Sequence, residues 1–360
     1  MKQSFLLAMA ASLAAALPSP YPDPGPIELF NVTEAEFDHA ELLQARARGP
    51  WNGPVMDVSF PDPTLFIDGN VWWAFSTSNG KNGHIPVAKS SDGEKWSLAG
   101  IDAMPDVGPW VDPKDRGIWA PSVFKNDNGK YVMYFSGKRN GGRRCAGVAV
   151  ADLPQGPYKV TSSPLICDDA GGGVIDSVHF FDGSQRWVIW KVDGNALGGK
   201  TTCTGGPRSA DYKPTPIRIQ RVSRDGLTLQ GQPKTILNHL GDVDDGLVEG
   251  PAMWKRRPGS YVLFYSTHCY SSDSYDIQYA WGTSPDADFG HRRRLARSGP
   301  KQPIYGPGHM DIASDGTTIA FHGRDKPGNP KDTKRRMYIG KIKFPTGEYS
   351  DGISVINYKG

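Results

Sequence analysis

Val248-Glu249-Gly250-Pro251-Ala252-Met253-Trp254 leads, after a turn, into Ser260-Tyr261-Val262-Leu263-Phe264-Tyr265-Ser266 and then Tyr275-Asp276-Ile277-Gln278-Tyr279-Ala280. The same order of parts recurs through the chain. Asp62-Pro63-Thr64-Leu65-Phe66 precedes Val71-Trp72-Trp73-Ala74-Phe75 and Ile85-Pro86-Val87-Ala88, and Trp119-Ala120-Pro121-Ser122-Val123-Phe124 precedes Tyr131-Val132-Met133-Tyr134-Phe135 and Ala146-Gly147-Val148-Ala149. Asp176-Ser177-Val178-His179-Phe180 precedes Arg186-Trp187-Val188-Ile189-Trp190-Lys191 and Ile217-Arg218-Ile219-Gln220, and His309-Met310-Asp311-Ile312 precedes Thr318-Ile319-Ala320-Phe321-His322 and Arg336-Met337-Tyr338-Ile339. Each run is short, rich in β-branched and aromatic residues, and bounded by turn residues such as Asn126-Asp127-Asn128-Gly129 or Asp182-Gly183-Ser184. Five units of roughly 55 to 75 residues, each of several antiparallel strands, describe an all-β, five-bladed β-propeller. A pair of β-sandwiches is the alternative, and it leaves the repeat unexplained.

In a propeller the innermost strand of each blade lines a central channel. Three of the repeat openings carry an acid, Asp62, Asp176 and Glu249, so the architecture gathers three carboxyl groups at one mouth. Carboxylates brought together suppress one another's ionisation, which separates a base from an acid and from a group that tunes them.

The 360 residues carry 41 Lys and Arg against 38 Asp and Glu, a net charge of +3 that argues against nucleic acid as the main partner. The local basic run His291-Arg292-Arg293-Arg294-Leu295-Ala296-Arg297 reads as a solvated segment. The 43 glycines and 30 prolines imply many turns and little long helix. Residues 1–17 read as a signal peptide, with Lys2, an apolar stretch from Phe5 to Leu13, and small residues Ala14, Ala15 and Ala16. That run is short for a membrane span, and a secreted protein that does not enter a membrane is expected. Residues 18–50 form an extension with a short helix over 33–48, where Thr33 and Glu36 make a capping box, and the propeller occupies 51–360. Asn31-Val32-Thr33 is a glycosylation sequon. The four cysteines suit an oxidising compartment, and sequence proximity favours Cys145–Cys167 with Cys203–Cys269. No cysteine pair at ligand spacing suggests zinc.

Taken together, Phe60-Pro61-Asp62-Pro63, Trp119-Ala120-Pro121, Ile175-Asp176, Val248-Glu249-Gly250-Pro251 and Gly306-Pro307-Gly308-His309 resemble the five blade motifs of glycoside hydrolase family 43. The resemblance extends from about Trp51 to the C-terminus. Each motif alone is a common turn sequence, and the signal lies in all five appearing in order. Two departures stand out: Ser177-Val178-His179 where many relatives have a proline, and a long Gly-rich stretch over residues 193–213, read as an added loop that reshapes the cleft.

The resemblance implies an inverting glycosidase acting on plant cell-wall polysaccharide, in which Asp62 is the general base, Glu249 the general acid, and Asp176 the residue that orients the acid and raises its pKa. Two carboxyl groups about 6.5–9.5 Å apart leave room for the attacking water. Ala120 supplies shape, and Trp119 is a candidate to stack on a sugar ring. Trp51 and Arg292 are further substrate-binding candidates. His309 is expected along the channel, where its equivalent in relatives contacts a cation, often calcium, directly or through water. No cofactor is required for the chemistry, and a channel calcium would be structural. Among the family's activities, cleavage of α-L-arabinofuranosyl linkages in arabinan or arabinoxylan is favoured, with β-xylosidase as the nearest alternative. A non-catalytic sugar-binding propeller and a retaining transferase are the competing classes. A monomer is expected.

Overall fold

The computed structural model describes residues 50–205, 211–299, 304–328, 333–346 and 352–356. The leader, the sequon and the helix expected over 33–48 lie outside them. Strand β1 (Trp51–Asn52) is followed by five antiparallel sheets. Blade one holds β2 (Thr64–Asp68), β3 (Val71–Phe75), β4 (Pro86–Ser90) and β5 (Ser97–Asp102), and blade two holds β6 (Trp119–Lys125), β7 (Tyr131–Lys138), β8 (Arg144–Ala151) and β9 (Lys159–Val160). Blade three holds β10 (Val174–Phe181), β11 (Arg186–Val192), β12 (Ile217–Val222) and β13 (Leu229–Leu237), and blade four β14 (Val248–Arg257), β15 (Ser260–Thr267), β16 (Asp276–Gly282) and β17 (Gly290–Ala296). Blade five is β18 (Tyr305–Ile312), β19 (Thr318–Arg324) and β20 (Arg336–Lys343), and β21 (Ser354–Ile356) also pairs with β20. The strand runs read from the sequence are these strands, and the fold is a five-bladed propeller.

The second strand of each blade explains why the sequence looks almost continuously apolar there. Successive side chains of a strand point to opposite faces, and here both faces are covered by a neighbouring blade. In β7, Met133 and Phe135 pack toward blade one with Phe75 and Val87, while Val132 and Tyr134 pack toward blade three with Val188 and Trp190. In β15, Leu263 and Tyr265 meet Ile189 of blade three, while Val262 and Phe264 meet Ile319 and Phe321 of blade five. The core is thus five apolar layers between blades, with blades five and one sharing Leu65, Ala74, Ala320 and Ile339.

The ring is closed from both sides of the chain. Trp51 and Asn52 pair with Gly340 and Ile339, and Ser354, Val355 and Ile356 continue the same edge of β20 opposite Lys343, Ile342 and Lys341. Nearer the axis, Asp311 of β18 accepts hydrogen bonds from Thr64 Oγ1 (2.6 Å) and the Leu65 N–H (2.8 Å) of β2. Trp51 is therefore a closure residue. It is 7% exposed and its ring packs edge-on against Phe321 at 4.9 Å, which corrects its assignment to the substrate site.

Both disulfides pair as sequence proximity suggests. Cys145–Cys167 ties β8 to the segment leading into β10, and Cys203–Cys269 ties the long loop after β11 to the loop after β15.

Candidate active site

Each innermost strand carries, within it or just before it, a residue with left-handed backbone: Asp62 (φ 52°), Ala120 (46°), Asp176 (57°), Gly250 (57°) and His309 (49°). Non-glycine residues rarely adopt this conformation. Four of the five do so here. In blades two to five a break in register accompanies it, where two residues of the inner strand are passed against one on its partner: between Trp119 and Ser122, Ile175 and Val178, Glu249 and Ala252, and Gly308 and Asp311. Such bulges re-aim side chains next to active sites, and here one accompanies the left-handed residue in each of four blades.

The geometry corrects the sequence alignment by one residue in blade four. Glu249 does not share the place of Asp62 and Asp176; Gly250 does, and Glu249 sits where Trp119 and Ile175 sit. Gly250 suits this place because a β-carbon would come to 3.0 Å from the His309 ring, whereas the other four blades hold the same left-handed backbone with larger residues.

Each left-handed residue is fastened through its backbone N–H. Thr77 Oγ1 accepts from Ala120 (2.8 Å), Ser136 Oγ from Asp176 (3.0 Å), Ser266 Oγ from His309 (2.8 Å), and His322 Nδ1 from Asp62 (3.2 Å). At blade four the Gly250 N–H is taken instead by Asp176 Oδ2 at 2.9 Å. Asp176 thereby holds the backbone beside Glu249.

His309 joins two of the acids: its Nδ1 lies 3.6 Å from Asp62 Oδ1 and 4.0 Å from Asp176 Oδ2. Asp62 Oδ1 also receives Arg335 at 3.0 Å and lies 3.1 Å from His322 Nδ1, while Oδ2 accepts from Thr77 Oγ1 at 2.6 Å. Burial alone would raise the Asp62 pKa, but the Arg335 guanidinium and His309 outweigh it and hold the carboxyl well below its usual range. His322, wholly buried, is itself pushed down to about 4 and stays neutral. Asp176 behaves oppositely. Burial, opposed by His309 and reinforced by the charge of Glu249, pushes it up to about 6. Glu249, 8% exposed, accepts a hydrogen bond on Oε2 from Lys191 Nζ at 2.7 Å. One carboxyl of the cluster, Asp62, is thus held ionised, as a general base must be.

The remaining predicted residues divide. Trp119 is 38% exposed beside Ala120, with the Arg144 guanidinium stacked on its ring at 3.2 Å, so it presents an aromatic surface at the mouth. Arg292 is a brace: it pairs with buried Asp244 at 3.1 Å and with the Asn238 carbonyl, fixing the segment that leads into β14. It is therefore corrected from a substrate contact to a support. A calcium ion takes six to eight oxygen ligands. Around His309 the nearest carboxylate oxygens are already engaged by Arg335 and by the Gly250 N–H. Among the described residues no group of three His, Cys, Asp or Glu side chains is placed to hold a metal.

Sequence reasoning missed Thr77, Lys191, Arg335, His322 and Tyr270. Lys191 had a signal, a lone cation ending an apolar strand run. Tyr270, 43% exposed, lies under the Arg335 guanidinium at 4.8 Å and follows the cross-linked Cys269. The long loop over 193–213, in its described part, is bound to the approach of β14 by Thr202 N–H to Asp245 (3.0 Å) and Tyr212 Oη to Asp242 (2.8 Å).

The sequence profile of "Glycosyl hydrolases family 43" matches residues 51–349. The chain belongs to that family. Within family 43 it is 32% identical to an extracellular endo-α-(1→5)-L-arabinanase of Thermotoga petrophila, over 74% of this chain and 56% of that protein, so it spans little more than half of that relative's length. It is 24% identical to a xylosidase/arabinosidase of Bacteroides ovatus, over 66% of this chain and 72% of that protein. Solved structures share the fold: a thermostable family-43 glycoside hydrolase superposes with a TM-score of 0.69 at 24% identity, covering 86% of this chain and 98% of the other. The Cellvibrio cellulosa α-L-arabinanase, solved with arabinohexaose, superposes with a TM-score of 0.62 at 16% identity, covering 83% and 96%.

Proposed function

We propose that this family 43 chain is an exported, inverting glycosidase that cleaves α-L-arabinofuranosyl linkages in plant cell-wall arabinan or arabinoxylan. The observation that carries the proposal is the gathering of Asp62 and Asp176 about His309, with Glu249 next to the Gly250 N–H that Asp176 holds. Asp62, kept ionised by Arg335, takes a proton from the attacking water. Glu249 gives a proton to the departing sugar oxygen, and Asp176 supports that proton by its nearby charge and by fixing the Gly250 backbone. Water's oxygen bonds to the anomeric carbon as the glycosidic C–O bond breaks, and the configuration inverts. Trp119 offers a face for a sugar ring. Arabinan is favoured by the arabinanases among the relatives, and export by the two disulfides, which persist in oxidising compartments.

The test is hydrolysis of linear and branched arabinan, arabinoxylan, and 4-nitrophenyl α-L-arabinofuranoside and β-D-xyloside, with the first-formed anomer followed by NMR. Release of β-arabinose from α-linkages is the expected result. A preference for the xyloside gives the xylosidase alternative, retained configuration overturns inversion, and sugar binding without turnover returns the protein to the non-catalytic class.

A further inference from the structure

The five blades place one side chain each at the same spot on the second strand, opposite the residue that precedes the left-handed one. In blades two to five the register pairs Trp119 with Ser136, Ile175 with Lys191, Glu249 with Ser266 and Gly308 with His322, and in blade one the Thr77 N–H reaches the Pro61 carbonyl. Thr77, Ser136, Ser266 and His322 each meet a backbone N–H of the following blade. Blade three has Lys191 at this spot. Its amine passes the backbone by, leaving the Gly250 N–H to Asp176, and reaches Glu249 Oε2 at 2.7 Å and Asp193 Oδ1 at 3.4 Å.

A lysine is the costliest choice for such a place. It is 1% exposed, and a buried ammonium is tolerated only when paired. A short hydroxyl would have met the packing demand, as in three of the other blades. What Lys191 supplies is a fixed positive charge on one oxygen of the carboxyl group that must deliver a proton.

We infer that Lys191 is a positioning residue for Glu249: it holds Oε2, leaves Oε1 as the oxygen that carries the proton toward the substrate, and receives the carboxylate charge when that proton has gone. The inference rests on Glu249 being the proton donor. The charged groups facing the pair come from every neighbouring element. Asp193 adjoins from the loop after β11, Asp176 from β10, His309 from β18, and Tyr275 from the loop before β16. Glu249 thus stands between a cation on its Oε2 and a carboxyl group that holds the neighbouring backbone.

The test compares K191M and K191R with the unaltered full-length enzyme, recording kcat/KM against pH on 4-nitrophenyl and 2,4-dinitrophenyl α-L-arabinofuranosides. Removing the ammonium leaves Glu249 protonated to higher pH, so in K191M the alkaline limb should move up by about one pH unit or more, the shift expected for losing an adjacent opposite charge. K191R should leave the limb in place. On the dinitrophenyl substrate, whose leaving group departs without a proton, the K191M deficit at the optimum should shrink to within about threefold of the unaltered enzyme, since general acid catalysis contributes little there. Activity lowered equally on both substrates with an unmoved limb would mean that Lys191 only fills space, and would overturn the inference. If K191M does not fold, K191Q removes the same charge with a polar replacement and is read the same way. E249Q separates the two layers: full activity on the 4-nitrophenyl substrate there removes Glu249 as the acid, whereas collapse there with an unmoved limb in K191M or K191Q refutes only the role of Lys191.

Discussion

At the junctions that follow blades one, two, four and five, a Thr, Ser or His side chain crosses to the next blade and takes up a backbone N–H. At the junction between blades three and four the crossing group is an ammonium, and it takes up a side-chain carboxylate. The first kind of junction fixes chain geometry with a neutral, local bond. The second adds an ion pair in a water-poor place, where charges act strongly on one another and are costly when unpaired. The difference separates the fivefold scaffold from the proposed chemistry: four junctions position backbone, and one also sets a cation against the Glu249 carboxyl group.

The largest effects should come from the acids at either end of that chemistry. D62N and E249Q should each lower kcat on arabinan by about 10²–10⁴-fold, the usual span of general acid–base catalysis, with thermal unfolding changed far less. Steady-state assays alongside melting curves check this, and a loss of similar size in S136A or S266A would erase the distinction between the junctions.

Next in size is Asp176, whose buried charge ties the two kinds of junction together. Its folded pKa of about 6 is raised from 3.8, so the folded protein holds this proton more tightly than the unfolded chain does. The associated stability is present in full below pH 3.8 and is lost as pH rises through about 6. D176N removes the charge and keeps an oxygen for the Gly250 N–H, so it should stabilise the fold by about 2–3 kcal/mol at pH 8 and hardly at all at pH 4, while slowing catalysis. Urea unfolding at the two pH values measures the gain, and equal effects at both would show that Asp176 does not titrate in this way. Asp62 has the opposite sign: its depressed pKa contributes stability above pH 3.8 that disappears on acidification.

Smaller still are S136A and S266A, each of which strips the acceptor from a buried N–H and should cost about 1–3 kcal/mol of stability while kcat stays within about threefold. W119A lies outside the junctions altogether. It should raise KM for arabinan by about five- to tenfold, the loss of about 1 kcal/mol of ring stacking, with kcat and melting temperature nearly unchanged.

The fold was legible because each blade repeats one pattern and the turn residues between runs punctuate it. The apolar second strands, such as Val132 to Phe135, announce sheets covered on both faces. Asp62 and Asp176 were legible as channel residues for the same reason. The one-residue displacement of Glu249 was not, because a bulge changes register without changing composition. Arg335 and His322 were hidden more deeply, since they reach Asp62 across 273 and 260 residues of chain and nothing local marks them. Trp51 misled because an aromatic near a candidate site motif has the same letter whether it greets a sugar or plugs a core, and pairing with β20 decides the matter. Arg292 misled likewise: its partner Asp244 is distant in sequence and buried.

The shared edge of β20 has a temporal consequence during biosynthesis. The groups that arm Asp62 emerge from the ribosome long after it, and the strand that follows β20, Ser354–Ile356, emerges later again. A nascent chain stalled before Arg335 carries every blade but the last and no depressed base. Docking of the fifth blade on the first is thus what brings Arg335 and His322 to the Asp62 carboxyl.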